Sequence, residues 1–387
     1  MRSDVLYLEI LGHPLIVLGS TTAISDLLEK RSSTTADRIQ DVMVELRKHQ
    51  HDVYALRPVV ETPPPRFAPY FDRDTSLEYR SVQETAAHVF LDKVLTNPGN
   101  LKAHIRYTVV GSIMKVTYGL DAQEEGDPYM ALVESSMEGI GQGWSGIVRP
   151  SAIPSCSLLS TSADTSEHRQ TKKRSSRTSE LSRWKEGQKQ PSAPSSAGSS
   201  PSPCTPPRSA PPRRARRRSR PLPPPSFADK DALVYVQAVV LESLRYHNIA
   251  PLGAPHRTTA DDVFRGHFIP KGTVVLANVW ACMHDPAVFP DPDVFNPARF
   301  VRNGALDPGP CDPASLAFGF GRRACPGSHY AMDALFINLA SFMHVFDIGP
   351  PSTPPDGRIT PRSEDAEGLI RAYASAARTA RDAESAS

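Results

Sequence analysis

Apolar positions along the chain fall into two spacings, and each predicts its own elements. Val5 to Leu18 alternates and is interrupted by Gly12-His13-Pro14, which predicts two short strands around a turn. Ser20-Thr21-Thr22 are good N-cap residues, so a helix is expected through Ile24, Leu27 and Leu28, ending near Ser33 to Asp37-Arg38. Helical spacing then returns at Val82, Ala86, Val89, Phe90 and Val94, predicting a helix over 81–95 before the Asn97-Pro98-Gly99 turn. A second helix is expected from Leu101 to Tyr118 with Ile105, Val109, Ile113 and Val116 on its buried face and Gly119 closing it. Met130 to Gly143 predicts one more helix, whereas Glu61-Thr62-Pro63-Pro64-Pro65 breaks any helix within 39–75. Further on, Leu233, Val236, Val240 and Leu244 share a helical face. A strand follows over 273–279, for which Pro270-Lys271-Gly272 reads as a hairpin turn. The strongest period belongs to Met332, Leu335, Phe336, Leu339, Phe342, Met343 and Phe346. Gly357 to Pro361 reads as a terminal strand, and 363–387 as a frayed tail.

Between 151 and 226 neither period survives. Twelve prolines fall between Pro191 and Pro225, and 15 Lys or Arg face 4 Asp or Glu, so the overall net charge of +2 conceals a basic tract inside an acidic remainder. Such a stretch has too little apolar surface to offset its conformational entropy and is expected to be disordered. Its densest run, Arg213-Arg214-Ala215-Arg216-Arg217-Arg218-Ser219-Arg220, has the charge to bind nucleic acid, but no aromatic residues are interleaved, so it reads as a solvated tract. The expected organisation is therefore 1–150, a disordered insert over 151–226, 227–362, and the tail. Five cysteines (156, 204, 282, 311 and 325) show no paired spacing, which predicts free thiols in a reducing compartment. No run approaches the ~18 to 20 apolar residues of a membrane helix.

One cysteine sits in a loop suited to hold it. In Phe318-Gly319-Phe320-Gly321-Arg322-Arg323-Ala324-Cys325-Pro326-Gly327, glycines at 319, 321 and 327 are expected to take positive φ and to let backbone approach a flat ligand. The following helix turns its positive dipole end toward the sulfur, and Arg323 adds a cation. The decapeptide fits F-x-x-G-x-R-x-C-x-G at Phe318, Gly321, Arg323, Cys325 and Gly327. On these residues the chain resembles the cytochrome P450 family of haem-thiolate monooxygenases. The string His104-Ile105-Arg106 to Thr117-Tyr118-Gly119 is similar to fungal members. Glu242-Ser243-Leu244-Arg245 is an E-x-x-R, and Phe295-Asn296-Pro297-Ala298-Arg299-Phe300 resembles the P-x-R-F element that completes a Glu-Arg-Arg cluster.

What the resemblance implies can be stated residue by residue. Cys325 would be the proximal ligand of haem b iron, with Phe318 beside the sulfur, and Arg323 and Arg257 would pair with haem propionates. Glu242, Arg245 and Arg299 would form a structural cluster below the haem. The fold would be mainly α with a small β portion, a cytochrome P450 fold that is incomplete. The reaction would be insertion of one O2 oxygen into a small organic substrate, with electrons from an NADPH-cytochrome reductase, at the endoplasmic reticulum membrane surface or, because no anchor is seen, in the cytoplasm. Two family features are not found. No tryptophan precedes Trp144 to supply the W-x-x-x-R clamp, and nothing from Ala122 to Lys230 matches the distal [A/G]-G-x-[D/E]-T helix, whose place the basic tract occupies. That gap raises two other readings, a haem-binding remnant without turnover and a basic interaction protein acting through 168–220. Cys282 and His284 supply only two ligands and make no metal site.

Overall fold

The computed structural model describes residues 4–10, 12–39, 68–124, 126–133, 135, 223–351 and 357–385. The expected disorder of the basic tract, including Arg213 to Arg220, and the Glu61 to Pro65 break lie outside the described residues. So does most of the Met130 to Gly143 helix, of which 128–133 and 135 are helical.

The alternating N-terminus forms β1 (Val5–Ile10) and β2 (His13–Leu18), an antiparallel pair. Ser20 caps α1 (Thr21–Ile24), accepting the Ala23 N–H, and the helix runs on as a wider turn over Ser25–Glu29 that buries Leu27 and Leu28. After α2 (Ser32–Thr35) the chain reaches the other end of the sequence, because Arg257 N–H donates to the Asp37 carbonyl. Strand β2 also pairs in parallel with β6 (Val274–Ala277), which pairs antiparallel with β3 (His256–Arg257), giving the order β1-β2-β6-β3. Ile16, Leu18, Val275 and Ala277 point to one face of this sheet and enter the largest core cluster together with Leu27, Leu28, Leu241 and Phe300. The Pro270-Lys271-Gly272 turn is present but closes no hairpin. Strand β5 (His267–Ile269) pairs back on β4 (Asp262–Phe264) through Arg265 and Gly266, both at positive φ, while β6 departs into the other sheet, where Val275 and Ala277 are buried.

Helices form the rest. After a short α3 (Arg73–Glu78) come α4 (Arg80–Thr96), α5 (Leu101–Tyr118), α6 (Val234–Tyr246), α7 (Val279–Met283), α8 (Pro313–Ala317), α9 (Ser328–Val345) and α10 (Glu364–Ser385). Gly119 closes α5 in the left-handed region at φ 69°. The face of α5 is opposite to the one its apolar period predicts. Ile105, Val109 and Ile113 are 47%, 44% and 39% exposed, and Thr108, Ser112 and Met114 are buried. Close approach contributes: a Cβ on Gly111 would sit 3.2 Å from the Ala122 Cβ, so the space at that point is tight and suits the short side chains of Thr108 and Ser112. Their hydroxyls stay satisfied by the helix, Thr108 Oγ1 donating to the His104 carbonyl at 2.8 Å and Ser112 Oγ to the Val109 carbonyl at 3.0 Å.

Two further expectations are corrected. Leu335 is exposed, whereas Tyr330, Asp333, Ile337, Ala340 and Ser341 of α9 are buried, because this helix packs against both α4 and α6 and needs more than one buried stripe. The C-terminus is no frayed tail. Following the strand pair β7 (Phe346–Pro351) and β8 (Gly357–Pro361), α10 lays Ala366, Ile370, Ala374 and Ala377 inward, one small apolar stripe against α4. Arg378 pins it to Asp92 at 2.9 Å and to Glu124 at 2.8 Å. Among the described residues no helix is long and apolar enough to cross a membrane.

Candidate functional site around Cys325

The cysteine loop is built by local backbone. Cys325 N–H donates to the Phe318 carbonyl at 2.7 Å, closing residues 318–325 into a tight turn directly ahead of α9. Gly319 and Gly321 stand at φ 80° and 54°, as the sequence requires, and a side chain at Gly321 would run into the Leu28 carbonyl oxygen. Gly327 behaves differently. It caps α9 at φ −85°, outside the left-handed region, and a Cβ there would make only ordinary contact with the Cys325 sulfur at 4.0 Å, so the backbone itself does not demand glycine at this position. Of the three free cysteines among the described residues, only Cys325 is exposed. Burial pushes the Cys282 thiol up to about 12 and the Cys311 thiol up to about 11, leaving both protonated and inert.

Basic side chains gather on the side of the loop that faces α2 and β3. Arg323 Nε donates to the Ala36 carbonyl at 2.9 Å, one residue before Asp37. Arg257 makes a two-pronged contact with the buried Asp37 carboxylate, at 2.8 and 3.1 Å. Arg38, itself buried, donates to the Ala254 and Pro255 carbonyls at 3.0 and 2.8 Å. Between them His256 is buried with Nδ1 facing the Thr35 carbonyl at 2.9 Å, an acceptor that places the proton on that nitrogen. Burial first, then the charges of Arg38 and Arg323, pull this imidazole down to about 4, so it is neutral near pH 7. Arg38 and His256 were not singled out from the sequence as site residues. The Asp37-Arg38 and Pro255-His256-Arg257 strings were visible, but nothing local says that they meet.

Behind the loop, Glu242, Arg245 and Arg299 come together. Arg245 grips Glu242 with two parallel bonds of 2.7 and 2.8 Å, and Arg299 Nε reaches the same carboxylate at 3.2 Å. Glu242 and Arg245 are fully buried. The remaining donors are used: Arg245 Nη1 donates to the Met283 carbonyl, Arg299 Nη1 to the Pro290 carbonyl, and the Asn296 N–H to Glu242 Oε1 at 2.7 Å. A buried ion cluster with this satisfaction ties α6 to the 283–299 loops, and deleting one member strands the others.

A cavity of about 100 Å³ lies elsewhere, between α4, α5 and α10, lined by Thr85, Thr108, Ser112, Lys115 and Arg381, and no residue of the cysteine loop borders it. His284 is stacked on Trp280 at 4.5 Å and Cys282 is buried, so this pair is part of the packing. His104 Nε2 lies 2.9 Å from the Asn97 carbonyl, closing a turn.

Comparison with known proteins places this geometry. The family model described as cytochrome P450 matches residues 213–366, which contain the E-x-x-R helix, Arg299 and the cysteine loop. Cytochrome P450 monooxygenase COX2 of Coprinopsis cinerea is 28% identical over 404 residues, covering 90% of this chain and 77% of that protein. Tryptamine 4-monooxygenase of Psilocybe cyanescens is 28% identical over 427 residues, covering 90% of this chain and 80% of that protein. Cytochrome P450 monooxygenase 58 of Postia placenta reaches 45% identity over 151 residues, covering 38% of this chain and 29% of that protein. A solved zebra fish cytochrome P450 with abiraterone superimposes with a TM-score of 0.63 at 19% identity, over 93% of this chain and 96% of that one, which speaks for the fold. A cysteine offered by that decapeptide, fungal monooxygenases aligned along nine-tenths of the chain and a shared fold agree, and the protein is an enzyme of cytochrome P450 type, similar along most of its length to fungal members of that family.

Proposed function

We propose that this chain binds haem b through Cys325 and oxidises a small organic substrate with electrons from an NADPH-cytochrome reductase, at the endoplasmic reticulum surface. The single observation that carries the reading is the Cys325 loop: an exposed thiol held by the Phe318 carbonyl, between glycines that keep side chains away from its rim. The residues present fit the group on this side. A sulfur donor stands free of its own protein's core, and Arg323, Arg257 and Arg38 supply cationic groups toward which two carboxylates can turn. When bound through a thiolate, haem supplies reductive activation of dioxygen, because the sulfur pushes electron density onto the iron.

The chain's own residues do the rest. Cys325 would hold the iron, and Phe318 sits at the start of the turn that carries the sulfur. Arg323 and Arg257 orient the carboxylate edge, with Asp37 keeping Arg257 extended and the neutral His256 adding no competing charge. Glu242, Arg245 and Arg299 keep the floor under the loop rigid. The test is the reduced carbonyl complex of the purified full chain: the red-shifted Soret band of thiolate ligation is expected, and Cys325→Ala must abolish it. A spectrum without that band in the parent protein overturns the reading. A second reading, haem binding without turnover, is favoured because no stretch between Ala122 and Lys230 matches the whole [A/G]-G-x-[D/E]-T pattern, the pair Asp164-Thr165 being preceded by Thr161-Ser162-Ala163. Product formation with NADPH and a reductase decides between them, since general acid delivery of protons contributes ~10²- to 10⁴-fold.

A further inference from the structure

Asp333 lies on α9 five residues after its first residue, Ser328, and only 5% of it is exposed. A buried carboxylate requires partners, and here two cations from distant parts of the chain supply them. Arg80 Nε, at the first residue of α4, donates to Oδ2 at 2.8 Å, and Lys230 Nζ donates to Oδ1 at 2.6 Å. Lys230 belongs to the turn Phe227–Ala232 that leads into α6, the helix of Glu242 and Arg245. Aromatic rings hold both cations in place. The Arg80 guanidinium lies 4.6 Å over the Phe227 ring and the Lys230 ammonium 5.5 Å from the Phe336 ring, and the two rings are 6.0 Å apart. Phe227 N–H is fixed in turn by Glu84 Oε1 at 3.0 Å, and the Lys230 carbonyl by Gln237 Nε2 at 2.8 Å.

This node therefore joins three elements that no other single side chain described above joins: α4, the entry to α6, and α9. The cysteine loop hangs from the first turn of α9, and the Glu242 cluster is carried by α6. We propose that Asp333 is a positioning residue for the Cys325 thiolate, setting the rotation and axial seat of α9 against α6 so that the sulfur is presented at the right height. The proposal rests on the reading that Cys325 ligates the metal. Its energetic basis is that a neutral residue at 333 leaves two partly exposed cations, with side chains 31% and 28% exposed, without the buried carboxylate they share, a loss that α9 answers by turning or sliding as a rod. The N-terminus of that rod is the loop.

The experiment compares the full-length parent protein with Asp333→Asn, Asp333→Glu and the milder Lys230→Gln, which leaves the Arg80 bond in place. Two readouts are taken. In protein freed of haem, the rate of Cys325 alkylation by iodoacetamide is followed by peptide mass spectrometry, with buried Cys282 and Cys311 as internal controls. In protein loaded with haem, the fraction of the reduced carbonyl complex with the thiolate band is measured. Asp333→Asn is expected to change alkylation several-fold and to convert most of the complex to the band of a weaker or protonated ligand, Lys230→Gln to do so partially, and Asp333→Glu to retain the thiolate band. Should Asp333→Asn fail to fold, Lys230→Gln carries the test alone. Unchanged alkylation and an unchanged band fraction in a folded variant, accompanied only by a lower melting temperature, overturn the proposal and leave Asp333 a purely structural anchor. A parent protein with no thiolate band is a different failure, that of the ligand assignment, and it is recognised before any variant is made.

Discussion

At the scale of single residues, the chemistry is concentrated where charge is buried. Removing the Glu242 side chain leaves Arg245 and Arg299 facing each other without their carboxylate, and the cost expected for breaking such a buried cluster is ~3–5 kcal/mol. Urea unfolding of Glu242→Ala checks this; a loss below ~1 kcal/mol would mean that the cluster is far better hydrated than its burial indicates. His256 gives a pH dependence of definite sign. Its folded value of about 4 is below the ordinary 6.5, so the folded state binds fewer protons than the unfolded state between those values. Its contribution is therefore complete above pH 6.5 and is lost as the pH falls toward 4, a swing of about 3 kcal/mol at most. His88 is shifted in the same direction by burial and adds to the slope. His256→Asn, which keeps a side-chain donor but cannot titrate, should flatten the stability profile over that window, and an equally steep profile in the variant would refute the assignment. The Cys325 loop was legible in the sequence because its turn, its glycines and its sulfur lie within ten residues. The contact of His256 with the Thr35 carbonyl was not, since those residues are 221 positions apart.

At the scale of elements, the sequence was a better guide to where helices run than to which side they bury. The helix of Leu101–Tyr118 is in place and Gly119 ends it, yet its apolar stripe looks outward, because its other side, tight against Ala122 at Gly111, buries Thr108 and Ser112 along with Met114. Periodicity reports hydrophobicity; it cannot report how closely a neighbour approaches. The same blindness hid α10. Its inward stripe is three alanines and Ile370 amid many charges, too little apolar bulk to read as a core-facing helix. The structure nevertheless makes Ile370 an anchor, buried with Phe90, Val94 and Phe342. Ile370→Ala is expected to cost ~2–5 kcal/mol by leaving a cavity there. Calorimetry or urea titration reads this directly, and a cost within ~0.5 kcal/mol of zero would show that α10 is not seated on α4 as described.

At the scale of the molecule, residues on either side of 136–222 interlock throughout. The sheet takes two strands from each side, Asp37 pairs with Arg257, Asp333 with Arg80, and α10 closes on α4. A protease site engineered between 160 and 210 should thus, after cleavage, yield two fragments that co-elute on gel filtration and part only in denaturant. Fragments that separate in native buffer would contradict the interlocking. The parallel pairing of Leu15 with Val274 and of Leu18 with Ala277 also has a consequence for how the protein is made. On the ribosome, β2 emerges about 260 residues ahead of its partner, and at typical elongation speeds that is a wait on the order of 10 to 50 s. Through that interval the apolar hairpin of Val5 to Leu18 has no sheet to join, so this newborn segment is a natural client for chaperones, and nascent chains halted before Val274 should be far more protease-sensitive than finished ones.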